Sequence, residues 1–225
     1  MENVNGILMD DTQKIKASTQ LGSILQAPTT TKQRKHYMQV VTSDFMELGY
    51  QVRIIILNAS HYGDAQSRER VLLFAAHWCW KLPDVPPPTH GEDETGLQPF
   101  VTARDVLKDL EDVKPVRGSG LVMLPDNKTT VADHNEEGTK VKSEYQQVQA
   151  EARTPTVRKN NSLLHYAHRR DLTVRERARL QSFPDTHIFC GSLKNRCDQI
   201  GNAVPVKLAR AIASSIIDVY TLKKI

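Results

Sequence analysis

Apolar residues recur at helical spacing over residues 37–48, where Met38, Val41, Phe45, Met46 and Leu48 form the stripe. Gly49 follows, the residue type favoured just past a helix end, so the pattern predicts a helix that closes there. Val52-Arg-Ile-Ile-Ile-Leu57 and Arg70-Val-Leu-Leu-Phe-Ala-Ala76 are β-branched and apolar almost without a break. Such runs predict strands in a sheet covered on both faces. Residues 58–69, polar and containing Gly63, form the loop between them. Leu82-Pro-Asp-Val-Pro-Pro-Pro-Thr-His-Gly91 cannot build regular structure, because prolines lack amide donors and restrict the residues before them. Residues 101–112 predict a short helix with Thr102 as N-cap. Thr173 and Glu176 form a capping box that opens a helix through Leu180 to Gln181, and Pro184 stops it. Residues 206–220 place Leu208, Ala209, Ala211, Ile212, Ile216 and Val219 on one face, with Pro205 just ahead. Residues 10–33 and 113–150 are polar and weakly periodic. The whole points to an α/β layer architecture.

Composition narrows the class a little. With 39% hydrophobic and 25% charged residues, the chain falls in the range of globular proteins. No stretch approaches the roughly 20 apolar residues of a membrane helix. The N-terminus has no secretory pattern, so an intracellular protein is the expectation. Cys79, Cys190 and Cys197 show no C-x-x-C spacing, and they read as free thiols. His165, His168 and His187 lack the cysteine or carboxylate spacing that would complete a zinc site, so no metal is expected. Charge is uneven: residues 1–83 carry +2, residues 84–150 carry −6 and residues 151–225 carry +8. A basic last third is compatible with a phosphate-bearing partner, and equally with a solvated charged face.

Three segments stand out together: Tyr62-Gly-Asp-Ala-Gln-Ser-Arg-Glu-Arg-Val-Leu-Leu-Phe74, Leu172-Thr-Val-Arg-Glu-Arg-Ala-Arg-Leu-Gln-Ser-Phe-Pro-Asp185 and Gln199-Ile-Gly-Asn-Ala-Val-Pro205. In that order they resemble the eighth, ninth and tenth motifs of the DNA cytosine-5-methyltransferase family. Glu2-Asn-Val4 resembles the sixth. The proline connector is similar to that of the eukaryotic members, the maintenance-type enzymes and chromomethylases, which implies a nuclear location. The resemblance implies the C-terminal part of a Rossmann-like S-adenosylmethionine-dependent methyltransferase fold with a small target-recognition region. It divides the chain into residues 1–83 (sixth to eighth motifs), 84–152 (connector and shortened target-recognition region) and 153–225 (ninth and tenth motifs with the closing helix).

The resemblance also assigns roles. The family flips its target base out of the duplex, as chemistry on a ring atom requires. Glu2 then falls on the glutamate that contacts the N3/N4 edge of cytosine, and Arg70 on the arginine that contacts O2. A carboxylate and an arginine fork suit those donor and acceptor positions. Arg68 would hold neighbouring backbone or phosphate, and Gln66 would order the loop. Asn202 and the backbone at Val204 would close over S-adenosylmethionine, from a flexible glycine loop that leads into a helix N-terminus. Arg175, Glu176 and Arg179 read as structural braces. DNA is the implied partner.

One part of the family's chemistry is missing from the 225 residues. The reaction needs a thiolate on a Pro-Cys loop, which attacks the 6-position of cytosine. Here Cys79 follows Trp78, Cys190 follows Phe189 and Cys197 follows Arg196. The Gly-rich cofactor loop is also absent. Three accounts fit: a fragment of a full enzyme, one half of a split enzyme completed in trans by an N-terminal half, or a degenerate relative. An initiator Met directly before Glu-Asn-Val favours the fragment. The alternative from a different class is a non-catalytic nucleic-acid-binding or scaffold module. If the sheet edge of the fold is missing, Ile200, Leu208, Ala209, Ile212 and Ile216 are expected to face water.

Overall fold

The computed structural model describes residues 37–92, 96–116, 121–126, 128–134, 146–159 and 163–221. Contacts divide the chain into two units, Met1–Ile56 with Arg70–Pro83, and Leu57–Glu69 with Asp84–Ile225.

In the first unit, helix α1 (Tyr37–Glu47) ends one residue before the predicted limit. Gly49 follows in the left-handed conformation at φ 83°, which a β-carbon would disfavour. Strand β1 (Tyr50–Asn58) and strand β2 (Glu69–His77), both predicted as strands, pair with each other in a two-stranded sheet among the described residues. Bonds from Trp78 to Gly49 (3.0 Å) and from Ala59 to Arg68 (2.9 Å) bracket the pair in reversed order, so the strands run antiparallel. The Gln51 amide donates to the carbonyls of Trp78 and Trp80, and Arg53 donates to that of Pro83. These three bonds tie the chain that leaves the sheet back to β1. The expectation of a sheet covered on both faces is not met among the described residues. Ile54 is 38% and Ile56 48% exposed, and they share one face of β1 because side chains alternate along a strand. Two strands cannot bury both of their own faces.

The second unit begins with a single 3-10 turn (Ala59–Tyr62) inside the loop between the strands. After the proline connector come two short pairings, β3 (His90–Gly91) with β4 (Gln98–Pro99), and β5 (Val122–Met123) with β6 (Thr130–Val131). Helix α2 (Ala103–Leu107) lies between them and is shorter than predicted. Its N-cap is Thr102, in a capping box with Asp105. Strands β7 (Gln146–Gln147) and β8 (Leu163–Leu164) pair in parallel. Three helices finish the chain: α3 (Val174–Leu180), α4 (Leu193–Asn202) and α5 (Val206–Thr221). The Thr173–Glu176 capping box opens α3 as predicted. Helix α4 is an addition to the prediction, capped by the Ser192 hydroxyl.

One core joins these pieces. Ala65, Leu107, Val148, Val157, Leu163, Leu180, Phe189 and Ile200 are all buried in it. Loop, α2 and α3 therefore close on the same apolar centre, and residues 57–69 group with the second unit rather than with the strands that flank them. A smaller cluster of Leu110, Val122, Leu124 and Val131 supports the β5–β6 hairpin within the segment read as polar and weakly periodic. The expectation that Ile200 and Leu208 face water is overturned, since both are fully buried. Ile200 fills the main core, while the first turn of α5 packs on the 3-10 turn. Ala209, Ile212 and Ile216 are half-buried.

Candidate functional site

The loop of the second unit is organised by one side chain. Asn58 accepts hydrogen bonds on its carbonyl oxygen from the Ser60 amide (3.1 Å), the Ser60 hydroxyl (3.0 Å) and the Arg68 amide (3.1 Å). An asparagine that replaces a backbone acceptor in this way starts a turn without a regular element. Gly63 closes the turn at φ 88°, where a β-carbon would also come within 2.7 Å of the His90 ring. Its conformation and its crowding each require glycine.

Gln66 and Arg68 point inward from this loop. Gln66 is fully buried; its oxygen accepts from the Val157 amide (3.1 Å) and its nitrogen donates to the Leu180 carbonyl (3.4 Å). Arg68 is 2% exposed. Its guanidinium donates to the carbonyls of Val157 (2.6 Å), Gly201 (2.6 Å) and Ala203 (3.1 Å). All three acceptors are main-chain carbonyls. Asp64 is fully buried too, accepting from the Ser182 hydroxyl (2.5 Å) and the Leu208 amide (3.2 Å). Burial pushes its carboxyl up to about 6, against the pull of those two donors and of Lys207.

The segment Gln199-Ile-Gly-Asn-Ala-Val-Pro205 is less of a loop than the sequence suggests. Its first four residues are the last turn of α4. Gly201 has helical backbone, and its requirement is space: a β-carbon would stand 2.3 Å from the Lys159 amide nitrogen. Asn202 and Val204 both lie at the surface of the turn, Val204 being 41% exposed. Arg70 belongs to the first unit, half-buried on β2, and burial draws its guanidinium below its ordinary range. Glu2 lies outside the described residues.

The ninth-motif helix α3 carries a buried ionic network, as read from its charges. Glu176, fully buried, receives both arms of Arg170 at 2.7 and 2.8 Å and the Thr173 amide at 2.8 Å. Burial alone would raise its carboxyl. Arg170, with His165 and His134 each 3.8 Å away, outweighs burial and leaves it lowered. Arg175 donates to the carbonyls of Ala132 (2.9 Å), Pro184 (3.1 Å) and His187 (2.7 Å). Arg179 grips Asp185 at 2.6 and 2.9 Å and Asp109 at 2.5 Å. Arg196 pairs with Asp133 at 2.8 Å, close beside the left-handed backbone of that residue. Arg175 and Arg196 are directed inward, to carbonyls and to Asp133, so the count of +8 overstates the charge open to a phosphate backbone. His165 and His168 do stack, with ring centroids 4.9 Å apart. Among the described residues, no group of three or more His, Cys, Asp or Glu could hold a metal ion.

Sequence reasoning missed Asn58, Asp64, Gln181 and Asp133. Asp64 and Gln181 stand inside the quoted motifs, but only the fold shows that they meet the turn after α4.

Comparison with known proteins now fixes the class. A candidate DNA modification methyltransferase encoded within a prophage (E. coli) superposes with a TM-score of 0.67 at 18% identity, covering 87% of this chain and 68% of that one. The S. pombe Dnmt2 methyltransferase superposes with a TM-score of 0.50 at 16% identity, over 83% and 63%. The fold is thus that of an α/β methyltransferase. The model of the C-5 cytosine-specific DNA methylase family matches residues 28–218, and the chain belongs to that family. The Type II methyltransferase M.AplI of Arthrospira platensis is 34% identical over 190 residues, covering 81% of this chain and 52% of its own length. M.BsuRI of Bacillus subtilis is 35% identical, over 78% and 44%. DNA (cytosine-5)-methyltransferase 4 of Arabidopsis thaliana is 27% identical, over 82% and 18%. The chain spans about half the length of the bacterial relatives it matches. Both bacterial and plant enzymes are among its relatives, so the similarity extends beyond the eukaryotic branch.

Proposed function

We propose that this chain is the C-terminal portion of a DNA (cytosine-5)-methyltransferase, which transfers a methyl group from S-adenosylmethionine to a cytosine turned out of the duplex. The observation that carries the reading is the seat of Arg68. It joins the eighth-motif loop to the turn bearing Asn202 and Val204 through the carbonyls of Gly201 and Ala203. The loop that carries Gln66 and Arg68 and the turn that carries Asn202 and Val204 thus meet within the second unit, which supports the reading.

In this reading Arg70 donates to O2 of the cytosine, Glu2 accepts at the N3/N4 edge and Gln66 keeps the loop in shape. Asn202 and the backbone at Val204 hold one edge of the cofactor, which supplies the methyl group. Arg68 acts from behind as a brace. The nucleophilic thiolate comes from a Pro-Cys loop outside these 225 residues, in a longer chain or in an N-terminal half supplied in trans. DNA is the substrate, and a nuclear location goes with the chromomethylase-like connector.

The test is transfer of labelled methyl groups to DNA. The chain by itself gives none, because losing an essential nucleophile costs many orders of magnitude. Once the Pro-Cys segment is supplied, Arg70→Ala lowers turnover by about a hundredfold, the scale of one lost transition-state donor, with little change in duplex affinity. Equal losses in both would assign Arg70 to the DNA backbone. Transfer by the chain alone would overturn the placement of the nucleophile.

A further inference from the structure

We infer that Asp64, Arg68 and Gln181 are positioning residues that hold the turn between α4 and α5 in the one shape that presents Asn202 and Val204. The inference rests on the cofactor reading above and deepens it.

Breaking a helix between Asn202 and Val206 leaves carbonyls without partners on one side and amides without partners on the other. Here side chains from two other motifs meet them. The Gln181 amide donates to the Ile200 carbonyl at 2.6 Å. Arg68 donates to the Gly201 and Ala203 carbonyls. On the amide side, the Val206 N–H reaches the Gln181 carbonyl at 3.0 Å and the Leu208 N–H reaches the Asp64 carboxyl. Ser182, next to Gln181, takes a left-handed backbone at φ 59° and donates its hydroxyl to the same carboxyl. Non-glycine residues adopt that conformation at a cost, so a fold retains it where the surroundings over-determine it.

The contrast in burial separates the roles. Asp64, Arg68 and Gln181 are 0%, 2% and 0% exposed, so none of them can also touch a ligand held at the surface. Asn202 and Val204 are exposed. Apolar packing alone would keep the turn near this place without setting the direction of its carbonyls. A planar guanidinium fork and a primary amide do set it. Close contact of Gly201 with Lys159 leaves the turn no room to settle inward.

Gln181→Glu tests this with almost no change in size. As an anion the new side chain cannot donate to Ile200; once protonated it can. Hydrogen exchange of the full chain, compared with the unsubstituted chain at the same pH, reads the turn directly. The expected result is exchange about tenfold faster at Ala203, Val206 and Leu208 at pH 8, recovering to nearly the original rate at pH 4.5, with α3 unaffected at both. A uniform loosening at both pH values, or none, overturns the inference. If Gln181→Glu unfolds the chain, Arg68→Lys, which keeps the charge and loses the fork, takes its place at pH 7: faster exchange at Ala203, Val206 and Leu208 with α3 unaffected is expected, and loosening that includes α3, or none, overturns the inference. The cofactor reading fails separately. Asn202→Ala leaves the exchange pattern unchanged and raises the KM for S-adenosylmethionine once the Pro-Cys segment is supplied. An unmoved KM sinks the cofactor role of Asn202 and leaves the frame standing.

Discussion

The two units depart from the usual assignment of side chains in opposite ways. In the first, Met46, Leu48, Ile54, Ile56 and Trp78 are exposed. In the second, Asp64, Arg68, Arg175 and Glu176 are fully or almost fully buried. Burying a charge is expensive unless partners and hydrogen bonds compensate it, and each of these four has them. Apolar side chains in water forfeit the roughly 1.5–3 kcal/mol that burial of each would contribute. In the second unit buried charges thus lie beside the apolar core and fix local geometry, while the first carries a strand face on which Ile54 and Ile56 are partly open among the described residues.

The sharpest way to break this contrast is Glu176→Ala. It leaves Arg170 without its carboxylate and His134 and His165 without their shared neighbour. Removing one member of a buried pair costs on the order of 3–5 kcal/mol. Chemical denaturation of the variant should show a loss of that size. A change below about 1 kcal/mol, the scale of an exposed pair, would mean that the network is ornamental.

Asp64→Asn should have a smaller effect, and one that depends on pH. The folded carboxyl is raised to about 6, above its value in an unfolded chain. The contribution tied to that shift is therefore fully present below the unfolded value and is lost as pH rises through about 6. The amide keeps an acceptor for Leu208 and gains a donor for Ser182. The substituted chain is expected to lose the decline in stability between pH 4 and 6.5 and to gain about 1 kcal/mol over the original at pH 7.5. A parallel pair of pH profiles would show that Asp64 does not titrate across folding.

The smallest effect is expected from Ile54→Thr with Ile56→Thr. Surface substitutions away from special features stay within about 0.5 kcal/mol, and threonine suits a strand. Denaturation midpoints should coincide while solubility rises. Truncation of a buried residue such as Leu107→Ala costs about 2–5 kcal/mol and sets the scale for comparison. A loss of that size from the isoleucine pair would mean that their face is covered in solution.

Local chemistry was well displayed in the sequence. Gly49, Thr102, Thr173 and Pro184 mark element ends that depend on neighbours a few residues away, and the structure places the ends within a residue or two, apart from the short α2. Helix α4 was illegible because its own residues, Leu193-Lys-Asn-Arg-Cys-Asp-Gln-Ile-Gly-Asn202, are mostly polar. Its place follows from Ile200 entering a core built by distant residues. Gly201 shows a second limit. Flexibility and close approach both call for glycine, and only the position of Lys159 tells them apart.

What the sequence determined by itself was the order of the motifs, and through it the family, together with the elements that carry them and the absence of a Pro-Cys pair. Those are properties of adjacent residues. Tertiary structure alone decided that Arg68 turns inward to carbonyls 133 and 135 positions away, that Asp64 meets α5 144 positions later, and that Leu208 is covered while Ile56 is not. A hydrogen bond is decided within about 3 Å, and the burial of a side chain depends on every layer laid over it. Neither can be read from neighbours along the chain.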